Sequence, residues 1–144
     1  MIELTLEQEI PADPGRVFAA LTEPEQLRRW SAPEGLAVVD GETDLRVGGG
    51  WRVVMAAPDG DRHEAFGTYR EIAPPERLVY THAWRHDDGG SSPETVLTVE
   101  LRPGGGGTRL HFTQAGFASP ESRDGHREGW CSALGHLRAL FQPA

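Results

Sequence analysis

One stretch limits the folds open to this chain more than any other: residues 119–141, close to the C-terminus. Ser119 offers a hydroxyl for N-capping, and Pro120 suits the first helical position, where its missing N–H costs nothing. Trp130, Ala133, Leu134, Leu137, Leu140 and Phe141 recur at helical spacing and so share one stripe. A helix with one wide apolar stripe must bury it against something. Residues 36–115 read as strand and turn, so the burying partner is a sheet. Gly125, Gly129 and Gly135 each weaken a helix by up to ~1 kcal/mol relative to alanine. That predicts either close packing against the sheet or room left for a ligand.

Upstream, Ile2, Leu4 and Leu6 alternate with Glu3, Thr5 and Glu7, the period of a half-buried strand. Asp13 reads as the cap of a short helix with Pro14 in first position and Val17, Phe18 and Leu21 on its buried face. Thr22 and Glu25 have the spacing of a capping box, which would open a second short helix carrying Leu27 and Trp30. Six further strands are expected, at residues 36–40, 51–57, 63–72, 77–85, 95–102 and 108–115. Gly48-Gly49-Gly50, the hairpin signal Asp59-Gly60, Pro74-Pro75, a polar loop at 87–92 and Gly104 to Gly107 separate them. Strands in a run with helices segregated at the ends predict an α+β fold, and 144 residues suffice for one domain over 1–144.

Alternation also sorts the strand faces. Leu78, Tyr80, His82 and Trp84 fall together, as do Leu97, Val99 and Leu101, then Leu110, Phe112 and Gln114, then Trp51, Val53 and Met55. The C-terminal helix would lie across these faces. A strongly curved sheet leaves part of its concave side unfilled, which predicts an apolar cavity with few polar groups: Tyr80, His82, Gln114 and His126.

Composition excludes several function classes. Acidic residues number 22 against 14 basic ones, all arginine, for a net charge of −8. Without a basic cluster, nucleic acid is not an expected partner. The lack of lysine matches a GC-rich, bacterial codon usage. Cys131 is the one cysteine, so no internal disulfide can form, as suits a reducing cytoplasm; beside the apolar stripe it is expected to be buried. The first ten residues carry Glu3, Glu7 and Glu9 and no apolar run, so no signal peptide is expected. Nor does any run approach the ~20 apolar residues of a membrane span. The expectation is a soluble, cytoplasmic domain.

Several blocks resemble a known family. They are Ile10-Pro11-Ala12 with Val17 to Thr22 and Trp30, Asp44 to Trp51, Gly67-Thr68-Tyr69, Pro74 to Leu78, Gly107 to Leu110, and Gly129-Trp130 followed by Leu134 and Leu137. In order and spacing they resemble the activator of heat-shock protein 90 ATPase homologue-like family, of the START-like, polyketide-cyclase-like (SRPBCC) superfamily, over almost the whole chain. The resemblance implies a helix-grip fold. A curved seven-stranded antiparallel sheet grips the long C-terminal helix, two short helices follow strand one, and a deep cavity lies between. Members of the superfamily bind lipids, sterols, polyketides and hormones, and some catalyse cyclisation or condensation. The namesake co-chaperone has an additional N-terminal domain, which is not expected within these 144 residues. Two positions depart from the family pattern: Ser31 stands where a second tryptophan is common, and Gln114 where a histidine is.

The leading expectation is binding of a small apolar or aromatic molecule, without a cofactor. The cavity would be lined by Trp30, Trp51, Val53, Met55, Tyr69, Tyr80, His82, Trp84, Val99, Phe112, Gln114, His126 and Trp130. One alternative is an enzyme of cyclase or hydrolase type using His82, Tyr80 or His126 as acid or base. Another, from the resemblance alone, is a partner that regulates a chaperone ATPase. A metal is not expected, because His63 with Glu64 and His82 with His86 have no third ligand in reach. The glycine runs lack the Gly-Lys-Ser/Thr ending of a phosphate loop, and no Gly-x-Ser-x-Gly nucleophile motif occurs. A homodimer is left open.

Overall fold

A computed structural model of the chain describes residues 2–86 and 88–142. Asp87, at the start of the expected polar loop, lies outside the described residues, as do the ends of the expected 1–144 domain, Met1, Pro143 and Ala144. In order, the elements are β1 (Glu3–Ile10), α1 (Pro14–Thr22), α2 (Pro24–Trp30), β2 (Ala37–Thr43), β3 (Gly50–Ala56), β4 (Arg62–Ala73), β5 (Arg77–Trp84), β6 (Thr95–Gly104), β7 (Gly107–Ala115) and α3 (Pro120–Phe141). The strands form one antiparallel sheet ordered β1-β7-β6-β5-β4-β3-β2. Strands β2 to β7 make a meander, and β1 joins its far edge by pairing Glu3–Ile10 against Ala115–Thr108. This is the helix-grip α+β architecture, with α3 lying in the concave face.

Local chemistry sets the helix ends. The Asp13 side chain accepts the Arg16 backbone N–H, and the Ser119 hydroxyl accepts that of Ser122, each followed by proline in the first turn. The predicted capping box at Thr22 does not form. Thr22 ends α1, where its hydroxyl donates back to the Phe18 carbonyl at 2.9 Å, and Glu23 is the N-cap of α2 without a side-chain capping bond. Helices α1 and α2 abut so closely that no residue is left over to serve as a separate cap. Their angle is held by Trp30, whose indole N–H donates to the Ala20 carbonyl at 2.8 Å.

Two register shifts bend the sheet. One lies between Val38 and Asp40 in β2, the other between Tyr69 and Glu71 in β4. An extra residue on one strand bends it and increases its twist, and both shifts lie in the half of the sheet that curls over the concave side.

The concave side divides in two. Towards β1, β7 and β6 it is filled by Leu4, Leu97, Val99, Leu110 and Phe112, with Ala133, Leu134 and Leu137 of α3 and Val17 of α1 pressed onto them. Towards β3, β4 and β5 the helix stands off. Cys131 is exposed rather than buried. It lies ~100° round the helix from Trp130, too far from the centre of the stripe to be covered. The three glycines of α3 do not mark close packing, since a Cβ on Gly125, Gly129 or Gly135 would meet nothing within 4 Å.

Gly67 on β4 is the opposite case. A Cβ there would lie 2.6 Å from the Thr81 carbonyl carbon and 2.7 Å from Nε1 of Trp51. Gly67→Ala should therefore cost about 1–3 kcal/mol through overpacking. Gly135→Ala, exposed and unobstructed, should add up to ~1 kcal/mol. Urea unfolding of the two variants, with midpoints moving in opposite directions, checks both.

Candidate functional site

The unfilled half of the concave face is a cavity of about 490 Å³. Its walls come from every layer of the fold. Strands β3, β4 and β5 supply Trp51, Val53 and Met55, then His63, Ala65 and Tyr69, then Tyr80, His82 and Trp84. Helices α1 and α2 and the following loop supply Leu21, Leu27, Trp30, Ser31, Pro33 and Leu36. Helix α3 closes the roof with Glu121, Ser122, Gly125, His126, Gly129, Trp130 and Ala133. Positions 122, 126, 129 and 133 recur at i, i+4, i+7 and i+11 and so lie on one helical face. Gly129 sits near the middle of that face, with open space where a Cβ would stand.

Of the residues expected at the cavity, the structure brings Trp30, Trp51, Val53, Met55, Tyr69, Tyr80, His82, Trp84, His126 and Trp130 to its wall. Val99, Phe112 and Gln114 are not among them. They sit where α3 presses onto β6 and β7, and all three are buried in the packed half. His63, weighed above only as a metal ligand, and Ala65 also line the cavity; alternation along β4 puts them on the same face as Tyr69.

The absence of a side chain at Gly67 shapes the wall. The register pairs Trp51 with Gly67 and brings His82 to the same row. With no Cβ in the way, the Trp51 indole leans across β4, donates to the Thr81 carbonyl at 3.0 Å and reaches within 5.6 Å of the His82 ring, centroid to centroid. Tyr80 meets Trp51 edge-on at 5.5 Å, and Trp84 meets His82 edge-on at 5.2 Å. Edge-to-face arrangements at these separations are favourable contacts.

Three buried or half-buried polar groups organise the rest. Gln114, fully buried, accepts from the Trp130 indole N–H at 2.8 Å and donates to the Thr95 hydroxyl at 2.9 Å. Thr95 in turn donates to the His82 carbonyl at 3.2 Å. Every donor in this relay meets an acceptor, and it pins α3 to β7, β6 and β5 in sequence. His126 makes a second tie. An indole N–H can only donate, so Nε2 of His126 accepts from Trp84 at 2.9 Å, and Nδ1 carries the proton that it gives to the Ser122 carbonyl at 2.7 Å.

His82 is different. It is 5% exposed, yet among the described residues neither ring nitrogen has a hydrogen-bond partner. Every fully enclosed side-chain polar atom described is satisfied, so the ring's polar atoms open onto the cavity. Burial, aided by the nearby His126, pushes its pKa down to about 3, so the ring is a neutral imidazole. Burial likewise pushes the Tyr69 hydroxyl up to about 12 and raises that of Tyr80. Neither phenol has a protein partner among the described residues. No group of three or more metal-ligating side chains converges among them either.

Residues 11–142 match the family described as Activator of Hsp90 ATPase homolog 1-like protein, AHSA1. The chain belongs to this family. Solved structures of similar proteins agree with the AHSA1-like fold. Protein CV1439 from Chromobacterium violaceum is 33% identical over 99% of this chain and 98% of its own, with a TM-score of 0.87. The AHSA1 protein SPO3351 from Silicibacter pomeroyi is 31% identical over 96% of each chain, also with a TM-score of 0.87. Protein NE0264 from Nitrosomonas europaea is 28% identical over 96% of this chain and 93% of its own, with a TM-score of 0.81. No curated protein matches the chain. Among the described residues of this AHSA1-like protein, no helix is long and apolar enough to cross a membrane.

Two tests of the site follow from its polar groups. Gln114→Leu leaves the Trp130 N–H and the Thr95 hydroxyl short of a partner. It should cost about 2–4 kcal/mol, read from the urea midpoint. Because His82 binds a proton in the unfolded chain below about 6.5 but not in the folded one until about 3, its neutral burial stabilises fully at neutral pH. That contribution fades as pH falls, at a limiting slope of about 1.4 kcal/mol per pH unit. Wild type should therefore lose stability relative to His82→Phe from pH 7 to pH 4.

Proposed function

We propose that the protein binds a small apolar or aromatic molecule in the cavity between the curled half of the sheet and α3. The observation that carries this reading is the roof. The helix face over the cavity holds Gly129, whose Cβ position is open space, while Ala133, Leu134 and Leu137 one to two turns on pack onto the sheet. A chain that only needed a core would gain up to ~1 kcal/mol from alanine there, and more from a buried leucine. The volume lies within the ~300–1,000 Å³ usual for small-molecule sites, and the wall is mostly aromatic and aliphatic with a few convergent polar groups.

An acid–base enzyme finds less support. Neutral His82 has no second proton to give near pH 7, and both ring nitrogens of His126 are engaged by Trp84 and Ser122. The chaperone-regulating alternative rests on the family name alone.

The protein purified from its own host should release one defined small molecule on denaturation, seen by native mass spectrometry as a matching mass difference. Gly129→Leu should lose that molecule, while Gly135→Ala, on the solvent side of α3, should keep it. Release of the same molecule from Gly129→Leu at full occupancy would overturn the assignment to the cavity.

A further inference from the structure

The polar chemistry of the cavity is sparse and one-sided. No arginine lines it, and the chain has no lysine. The only carboxylate at its wall among the described residues, Glu121, is exposed at the N-terminal end of α3. An anionic ligand would therefore meet no arginine or lysine there, and a negative charge on the wall. Stripping water from an unpaired ion is among the largest penalties a binding site can impose.

Among the described residues of the strand wall, three rings have no polar partner, His82, Tyr69 and Tyr80, and they are close neighbours. Tyr69 and Tyr80 are cross-strand partners with ring centroids 6.2 Å apart. His82 follows two residues after Tyr80 on the same face of β5, and Trp51 touches both. A neutral imidazole offers one N–H and one lone pair. A ligand hydroxyl satisfies whichever of these faces it, by accepting from the N–H or donating to the lone pair. A carbonyl suits only one tautomer, and a hydrocarbon suits neither, leaving the buried ring unpaired. The surrounding tryptophan and tyrosine rings favour an aromatic body over an aliphatic one of equal area.

Resting on the binding function above, we propose that the cavity selects an uncharged aromatic molecule whose hydroxyl docks against the His82 imidazole, and rejects the matching carboxylate. The His82 ring is then the specificity-determining group, and the tyrosine hydroxyls form the rest of a polar patch set deep in an aromatic box.

The test is isothermal titration calorimetry at pH 7.5 with three probes of one shape: 4-phenylphenol, 4-methylbiphenyl and biphenyl-4-carboxylate. Wild type should bind the phenol about tenfold tighter than the methyl compound, the value of one well-made hydrogen bond. The carboxylate should bind at least a hundredfold more weakly than the phenol. His82→Phe should bind the phenol and the methyl compound equally while still rejecting the carboxylate. His82→Gln, which keeps a donor and an acceptor, should retain the preference and covers the case in which the phenylalanine variant does not fold. Equal affinity of wild type for the phenol and the methyl compound would overturn the role of His82. Carboxylate binding as tight as the phenol's would overturn the charge selection. If none of the three binds, the cavity-binding function itself fails, an outcome distinct from the other two.

Discussion

The relay from Trp130 through Gln114 and Thr95 to the backbone of His82 is the constraint on which the rest of the structure depends. It crosses from α3 to three adjacent strands inside an apolar interior, where an unmatched polar atom is expensive. Every donor in it meets an acceptor, so the helix cannot slide or rotate without orphaning both the Trp130 N–H and the Gln114 carbonyl. Apolar packing alone tolerates small shifts; this relay does not. It stands at the boundary between the two halves of the concave face. On one side Leu134 and Leu137 press onto β1, β6 and β7, and on the other the helix is suspended over empty space.

That division explains how an open volume persists in a domain of this size. A void in a core normally collapses or is filled, because its lining loses dispersion contacts. Here the ceiling is held by hydrogen bonds at two points, Trp130 to Gln114 and Trp84 to His126. The floor is braced by edge-to-face aromatic contacts and by the close approach of β4 and β5 at Gly67. Rigid rings tied at their polar edges resist collapse better than flexible aliphatic chains. The loop before β2 is tied to α3 as well: the Glu34 backbone N–H donates to the Ser132 hydroxyl, and His136 meets the Ala32 carbonyl and the Glu34 carboxylate.

Much of this was legible from residue order. Period-two alternation in β1 and β5, the proline and side-chain caps at Asp13 and Ser119, and the stripe from Trp130 to Leu137 are local signals, and each element formed where they point. The failures share one physical origin. Thr22 has a competent capping motif, but the packing of α1 on α2 decides which residue serves as cap. Alternation tells which face of a strand points inward, yet not how far along it the helix presses down. For that reason Val99, Phe112 and Gln114, expected at the cavity, lie in the packed core, while His63, weighed only as a metal ligand, lines the wall. Gly67 carries no pattern at all. Its role emerges only when the Trp51 ring of the next strand lies across it.

The placement of the tryptophans has an optical consequence. The chain has four, and all four stand on the cavity wall. Ultraviolet emission from this protein therefore originates almost wholly at the surface where a bound molecule would sit. Two of the emitters, Trp84 and Trp130, have their indole N–H groups clamped to partners on or beneath the helix. Occupancy of the interior and loosening of the helix should thus change the colour and lifetime of that emission differently, which makes the unlabelled polypeptide its own reporter.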